Sequence, residues 1–274
     1  EVITPAAIRN AQRVLLAVSG STNAVIHMAA VAGRIGMKLD LDDFNRLSDQ
    51  TPVLVDLKPV GAGYMEDFHY AGGLEGVLRE IAPQLETGTR SITGETLADR
   101  LARPLADPID RAVIREAASP ISSVGGLIAL RGSLAPDGAI LKRAAATEAL
   151  LEHEGRAVVF TSLEDLAARI DDPDLDVTAD DILVLQNAGP KSPSGMPEAC
   201  YLPIPKKLAQ AGVKDMVRIS DARMSGTAFG TIVLHVSPEA AIGGPLALVR
   251  DGDLIRLSAR EKRIDLLVDV ATLA

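Results

Sequence analysis

The chain has 274 residues, 47% hydrophobic and 24% charged, enough for one large or two medium domains with real cores. A formal net charge of −9 and a pI of about 5.0 give an acidic surface that repels phosphate backbones and argues against nucleic-acid binding. No uninterrupted apolar run reaches the roughly 18 residues of a membrane span, no basic-then-apolar leader opens the chain, and a lone cysteine, Cys200, suits a reducing cytoplasm. Aromatic residues are 3% and Trp is absent, so Val, Leu, Ile and Ala must fill the interior.

Thr4-Pro5 reads as the N-cap and first position of a helix, with Ile8, Ala11, Leu15 and Val18 on one face. "SGSTNAVIHMAAVAGRIG" opens a second helix that Ser21, Thr22 and Asn23 can cap and Gly36 ends. "LDLDDFNRLSDQ" predicts a short helix with an acidic start, and "TPVLVDLKP" a strand bounded by prolines. "GGLEGVLREIAPQL" sets Leu74, Val77, Leu78 and Ile81 at helical spacing, so residues 1 to about 115 read as mostly helical with one strand. Glycine, serine and proline then cluster in "SPISSVGGLIALRGSLAPDGAILK", a boundary signal. Beyond it come short β-rich runs, "AVVF", "DILVLQ", "TIVLHV", "LALV", "DLIRLS" and "IDLLVDV", the last two joined by "SAREKR" as a hairpin. Helices intervene at "SLEDLAARI" and "PIPKKLAQAG", and the pattern predicts a β-barrel or sandwich with covering helices.

Four stretches could carry chemistry. Ser19 to Asn23 lies at a helix N-terminus, where N–H groups and hydroxyls either seat an anion such as a carboxylate or simply cap the helix. "YMEDFHYAGG" gathers Glu66, Asp67, His69 and two tyrosines, as a polar substrate loop or as a solvated loop whose Gly72-Gly73 starts a helix. "NAGPKSPSGMPEAC" is a fixed, non-repetitive loop after a buried strand. Its one carboxylate, Glu198, is either a Mg²⁺ ligand or a surface helix cap, and Cys200 reads as a small buried apolar side chain.

The fourth stretch is "SDARMSGTAFG". A serine hydroxyl is a poor base without a neighbouring base or cation. No Ser-His-Asp order surrounds Ser225, and His235 lies ten residues on, in a strand, as a core histidine. Ser225 and Glu198 make chemical sense together if Mg²⁺ or another Lewis acid lies between them. Arg223 can grip a substrate carboxylate in a bidentate fork or pair with Asp221.

"GSTNAVIH", "MEDFHYAGG", "GGLIALRGSLAPDGAILK", "NAGPKSPSGMPEA" and "ISDARMSGTAFGTIVLHVSPEAAIGGPLALVRDGD" closely resemble the dihydroxy-acid and sugar-acid dehydratase family along essentially the whole chain. "GYMEDF" and "DFHYAGGLEGVL" resemble its pentonate (arabinonate or xylonate) branch. The resemblance implies a hydro-lyase turning a 2,3-dihydroxy sugar acid into a 2-keto-3-deoxy acid, with a [2Fe-2S] cluster as Lewis acid and Mg²⁺ holding substrate. It implies Ser225 as the base, Thr227 beside it at the substrate or cluster, and Glu198 as a magnesium ligand. Arg223, Ser21, Thr22 and Asn23 are the substrate-binding candidates.

The family's cluster cysteines, other carboxylate ligands and modified metal-binding lysine belong to an amino-terminal part that this sequence does not contain. The chain is therefore expected to be roughly the second half of a dehydratase. Residues 1–118 would end the cluster-bearing α/β domain, and 119–274 would form an aconitase-like swivelling β-barrel domain with flanking helices. A homo-oligomer, dimer or tetramer, acting on a small-molecule sugar acid is expected. Two other readings stand beside it: a barrel module that binds a sugar acid or partner without chemistry, and the dihydroxy-acid dehydratase of branched-chain amino-acid synthesis.

Overall fold

A computed structural model describes residues 2–105, 107–193, 202–224 and 229–268, and the chain divides into two compact units, Glu1–Leu127 and Ile128–Ala274. In the first unit the helices are Pro5–Ala17 (α1), Asn23–Arg34 (α2), Leu41–Gln50 (α3), Met65–Tyr70 (α4), Gly73–Glu80 (α5) and Leu97–Ala102 (α6). Thr4 caps α1 as its position demands: its Oγ1 accepts from Ala7 N at 3.1 Å, with Pro5 at the first helical position. Asp40 does the same for α3, accepting from Asp42 N at 2.8 Å. Gly36, just past α2, has φ +75°, the left-handed stop that a glycine there permits. Ala17, Leu54, Val55, Val77, Leu78, Ile81, Leu85 and Ile114 close the core of this unit.

Two local expectations change form here. The "TPVLVDLKP" stretch is extended but joins no ladder. Val53, Val55 and Leu57 each make one isolated bridge, to Ser122, Ile114 and Gly63, because their neighbours are irregular segments rather than strands. "YMEDFHYAGG" is not a loop but the short helix α4, whose first turn is stabilised when Asp67 Oδ2 accepts from Tyr64 N at 2.7 Å. Gly72, at φ +114°, makes the turn into α5.

The second unit is built on Ile128–Leu130 (β1), Gly138–Leu141 (β2), Glu152–Phe160 (β3), Ile182–Leu185 (β4), Arg218–Ser220 (β5), Ile232–Ser237 (β6), Leu254–Ser258 (β7) and Arg263–Leu266 (β8), with helices Leu163–Arg169 (α7) and Lys206–Gln210 (α8). They form one eight-stranded sheet in the order β1-β2-β6-β5-β4-β3-β7-β8. The middle pairs β6-β5, β5-β4 and β4-β3 are parallel; the outer pairs are antiparallel. The two edges meet. Arg131 bridges Arg263, Arg131 N donates to Lys262 O at 3.0 Å and Ile264 N to Arg131 O at 3.0 Å, so the sheet curls into a nearly closed barrel with few open edge groups.

Alternation sorts the side chains. Ala157, Val159, Ile182, Val184, Val217, Ile219, Val233, Ile255 and Leu257 join the cluster that fills the barrel. Val158, Phe160, Leu183, Leu185, Met216, Ile232 and Leu234 face the other way, into a second cluster with Leu166 and Ile170 of the α7 region. Strand β4 is thus buried along its whole length, which is why its sequence is a continuous apolar run.

The mixed α/β barrel agrees with the expected fold class, and "SAREKR" does join an antiparallel pair, β7 and β8. "LALV" does not form a strand. Pro245–Leu248 is a 3-10 turn that starts at a proline, and Gln186 Nε2 donates to Leu246 O at 2.7 Å and Val249 O at 3.0 Å, so those carbonyls have no ladder to join. Strand β7 offers an internal test of the barrel interior: Leu257 is fully buried, Leu254 is 45% exposed. Leu257→Ala should lower unfolding free energy by about 2–5 kcal/mol, and Leu254→Ala should shift it by no more than about 0.5 kcal/mol, both read from urea-denaturation midpoints.

Candidate active site

Strands β3 to β6 run in one direction, and their carboxyl ends collect at one rim of the barrel. That rim is where open and barrel α/β sheets place reacting groups, because the loops leaving it are free of ladder duty. The loop after β4 begins "QNAGPK", the loop after β5 begins "DARM", and the loop after β6 begins "PEAAIGG".

One buried carboxylate ties these three loops. Asp221 follows β5 directly and is 1% exposed. Its Oδ1 accepts from Ala188 N at 3.0 Å and its Oδ2 from Ala240 N at 2.9 Å. Burial pushes its pKa up, the two N–H groups oppose that, and the charge of Glu239 adds to it. Glu239 Oε2 in turn accepts from Lys191 N at 2.7 Å. A Cβ at position 189 would lie 2.5 Å from Glu239 Oε2 and 3.2 Å from Asp221 Cγ, so only glycine lets the loop pass between the two carboxylates. Asn187, at φ +55°, donates from Nδ2 to Thr161 O at 3.0 Å and so draws in the loop after β3.

Arg223 and His235 sit close to this brace. His235 N donates to Ala222 O at 3.2 Å, with His235 in the left-handed region at φ +59°. Burial of the imidazole pushes its pKa down to about 4, and the positive charge of Arg223 pushes the same way. The ring is therefore neutral at pH 7, as the core-histidine reading expects.

The remaining sequence candidates are distributed as follows. Ser225, Thr227, Glu198 and Cys200 lie outside the described residues. Ser21, Thr22 and Asn23 are at the start of α2 in the first unit. Thr22 occupies the N-cap position without a side-chain cap bond, Ser21 Oγ accepts from Asn23 N at 3.2 Å, and Thr22 and Asn23 are buried. Ser19, at φ +47°, has a buried Oγ with no hydrogen-bond partner among the described residues. Glu66 and His69 are exposed on α4.

Asp221 as a brace and Glu239 as its neighbour were not singled out from the sequence; nor was Arg218, in β5. The available signal was a charge set between apolar neighbours in "VRIS". Among the described residues no three His, Cys, Asp or Glu side chains converge as a metal site, and no helix is long and apolar enough to cross a membrane.

The depressed His235 pKa sets a pH dependence. A histidine whose folded pKa lies below its unfolded value of about 6.5 stabilises the fold fully above pH 6.5, and that contribution is lost as pH falls toward 4. Up to about 3 kcal/mol of stability should disappear over that interval, and His235→Gln should flatten the loss, measured by urea denaturation at pH 7, 6, 5 and 4.

The family model described as dihydroxy-acid/6-phosphogluconate dehydratase C-terminal matches residues 112–274, and the N-terminal model of the same name matches residues 1–100. An L-arabonate dehydratase of Azospirillum brasilense is 51% identical over 94% of this chain and 44% of its own length. An L-arabinonate dehydratase of Rhizobium leguminosarum bv. trifolii is 47% identical over 100% of the chain and 47% of its own length. A 6-deoxy-6-sulfo-D-gluconate dehydratase of Pseudomonas putida is 47% identical over 99% and 47%. The chain spans about half the length of the curated relatives it matches.

Proposed function

Because the chain belongs to the dihydroxy-acid/6-phosphogluconate dehydratase family, we propose that it serves in a hydro-lyase that dehydrates a 2,3-dihydroxy sugar acid, of the L-arabinonate or D-xylonate kind, to a 2-keto-3-deoxy acid. One observation carries the reading: the "SDARMSGTAFG" run leaves the carboxyl end of β5, at a rim whose loops Asp221 ties together, in a chain about half identical to proteins named for sugar acids.

In that reaction C2 loses a proton, C3 loses hydroxide, and the resulting enol tautomerises to the ketone. Ser225 takes the C2 proton, with Thr227 beside it in the same motif. Arg223 suits the substrate carboxylate, since a guanidinium fork matches it in two parallel hydrogen bonds. Ser21, Thr22 and Asn23, at the start of α2, are the other substrate-binding candidates, with hydroxyls and a positive helix end that suit an anionic or hydroxylated group. The protein acts as a cytoplasmic homo-oligomer in this reading, on the strength of the family resemblance.

A serine needs help to act as a base, and Mg²⁺ and a [2Fe-2S] cluster would supply the Lewis acidity. Glu198 is the proposed magnesium ligand of this chain. A [2Fe-2S] cluster is held by several cysteine thiolates and the chain has one cysteine, so its own residues do not fit a cluster by themselves; in this reading the ligands come from outside this chain's span of its relatives' length.

The test is formation of 2-keto-3-deoxy acid from L-arabinonate and D-xylonate by the full-length protein with Mg²⁺ under anaerobic conditions, with 2,3-dihydroxy-isovalerate as the competing substrate. Ser225→Ala should abolish turnover and leave the cluster spectrum intact, and Glu198→Gln should weaken the magnesium dependence. Substantial turnover by Ser225→Ala removes that serine as the base. A preference for the branched substrate moves the enzyme to branched-chain synthesis.

A further inference from the structure

Arg218 is the first residue of β5 and is 1% exposed, among the largest fully buried side chains of the chain. Burying a guanidinium is costly unless each N–H finds an acceptor. Here Nε donates to Met216 O at 3.3 Å, Nη1 to Leu202 O at 3.1 Å, and Nη2 to Phe229 O at 2.7 Å and to Asp215 Oδ1 at 3.1 Å. Asp215 is itself fixed: it accepts from Thr231 N at 3.0 Å, Thr231 Oγ1 at 2.8 Å, Thr147 Oγ1 at 2.8 Å and Met216 N at 2.9 Å. A Cβ at position 230 would lie 2.2 Å from Arg218 Nη2 and 2.3 Å from Asp215 Oδ1, so the backbone passes the pair where only glycine fits, at φ +113°.

Two of those acceptors come from distant parts of the chain. Leu202 stands four residues after Glu198, and Phe229 four after Ser225 and two after Thr227. One planar group therefore holds the chain just beyond both motif segments. A buried ion pair is weak evidence of stabilisation, because replacing both partners by apolar residues of similar volume is often neutral or better. The place of this pair makes sense as geometry.

We propose that Arg218 is a positioning residue for the dehydration, holding on one guanidinium the carbonyls of Leu202 and Phe229, which follow the Glu198 motif and the Ser225–Thr227 motif in the chain. The proposal rests on the functional reading above. Lysine cannot replace it, because a single ammonium lacks the rigid fork that spans two carbonyls.

The test uses the full-length, cluster-loaded protein, with Arg218→Met, Arg218→Lys, Ser225→Ala and Glu198→Gln assayed side by side. Arg218→Met removes the fork and leaves Asp215 buried without its cation, so the variant's thermal midpoint should fall, and activity is compared at a temperature where the variant is fully folded. At that temperature it should lower kcat roughly 100-fold, as expected of a misplacement of about 1 Å, with KM for the sugar acid and the cluster spectrum little altered. Arg218→Lys should lose most of kcat as well, which keeps the test available if the methionine variant does not fold. A folded Arg218→Met or Arg218→Lys protein with kcat within threefold of the parent overturns the proposal. So does a kcat loss that merely tracks the unfolded fraction at the assay temperature. Retained turnover in Ser225→Ala and Glu198→Gln sinks the functional reading itself, whatever Arg218 does; inactive Ser225→Ala and Glu198→Gln with an active Arg218→Met sinks the positioning role alone.

Discussion

Strands β3 to β6 are covered on both faces, and most features of the second unit follow from that constraint. One face fills the barrel and the other packs under the α7 region, so β4 has no solvent-facing side chain. With no wet face, polar chemistry is confined to the loops at the strand ends. The same burial raises the cost of any polar atom left without a partner, and it explains why Gln186, Asp221, Arg218 and Asp215 each spend their hydrogen bonds on loop backbone. Barrel closure through Arg131 and Arg263 serves the same end, since an open edge beside β1 or β8 would leave a row of backbone groups unpaired.

What could be read from the sequence tracks how local the cause is. Thr4-Pro5, the acidic start of α3 and Gly36 act within one turn, and each behaves as its residue type dictates. Strands β3 and β4, and the β7-β8 hairpin, were readable because their apolar runs are uninterrupted by glycine or proline. Strands β1, β2 and β5 hold three or four residues and lie in glycine-rich or charged surroundings, so no period can be counted in them. "LALV" misled for the converse reason: four apolar residues satisfy a strand pattern, but Pro245 and the side chain of Gln186 settle their backbone bonds elsewhere. In "YMEDFHY" the acidic residues that suggested a polar loop are the ones that stabilise a first helical turn.

The site divides along the same line. The motif residues stand out in the sequence because their composition is unusual for a core element: glycines, hydroxyls and charges in short runs. The residues that hold the motifs were not found, because a brace is defined by which distant backbone groups it satisfies. Asp221 reaches Ala188 and Ala240, 33 and 19 residues away, and Arg218 reaches Leu202, 16 residues away. Nothing in the spacing of one sequence reports such pairs; only a charge inside an apolar strand hints that a buried partner exists.

The two braces also differ in a way that fits their places. Asp221 lies past the carboxyl end of β5 and can only accept; Arg218 lies at its amino end and can only donate. The chain leaving β4 presents the N–H of Ala188 to the first, and the same crossover returns to present the carbonyl of Leu202 to the second. The crossover from β5 to β6 departs at Asp221 itself and returns with the carbonyl of Phe229 on Arg218. Each of the two segments singled out for chemistry is thus tethered before and after its motif, by an anion that takes N–H groups at one rim and a cation that takes carbonyls at the other. Exchanging the two charges would leave both unsatisfied, so the sign at each end of this three-residue strand is set by the backbone groups that reach it. A strand of three residues contributes little pairing of its own. Its weight in the fold comes from these two charged ends, which join the loops of the rim to the floor of the barrel.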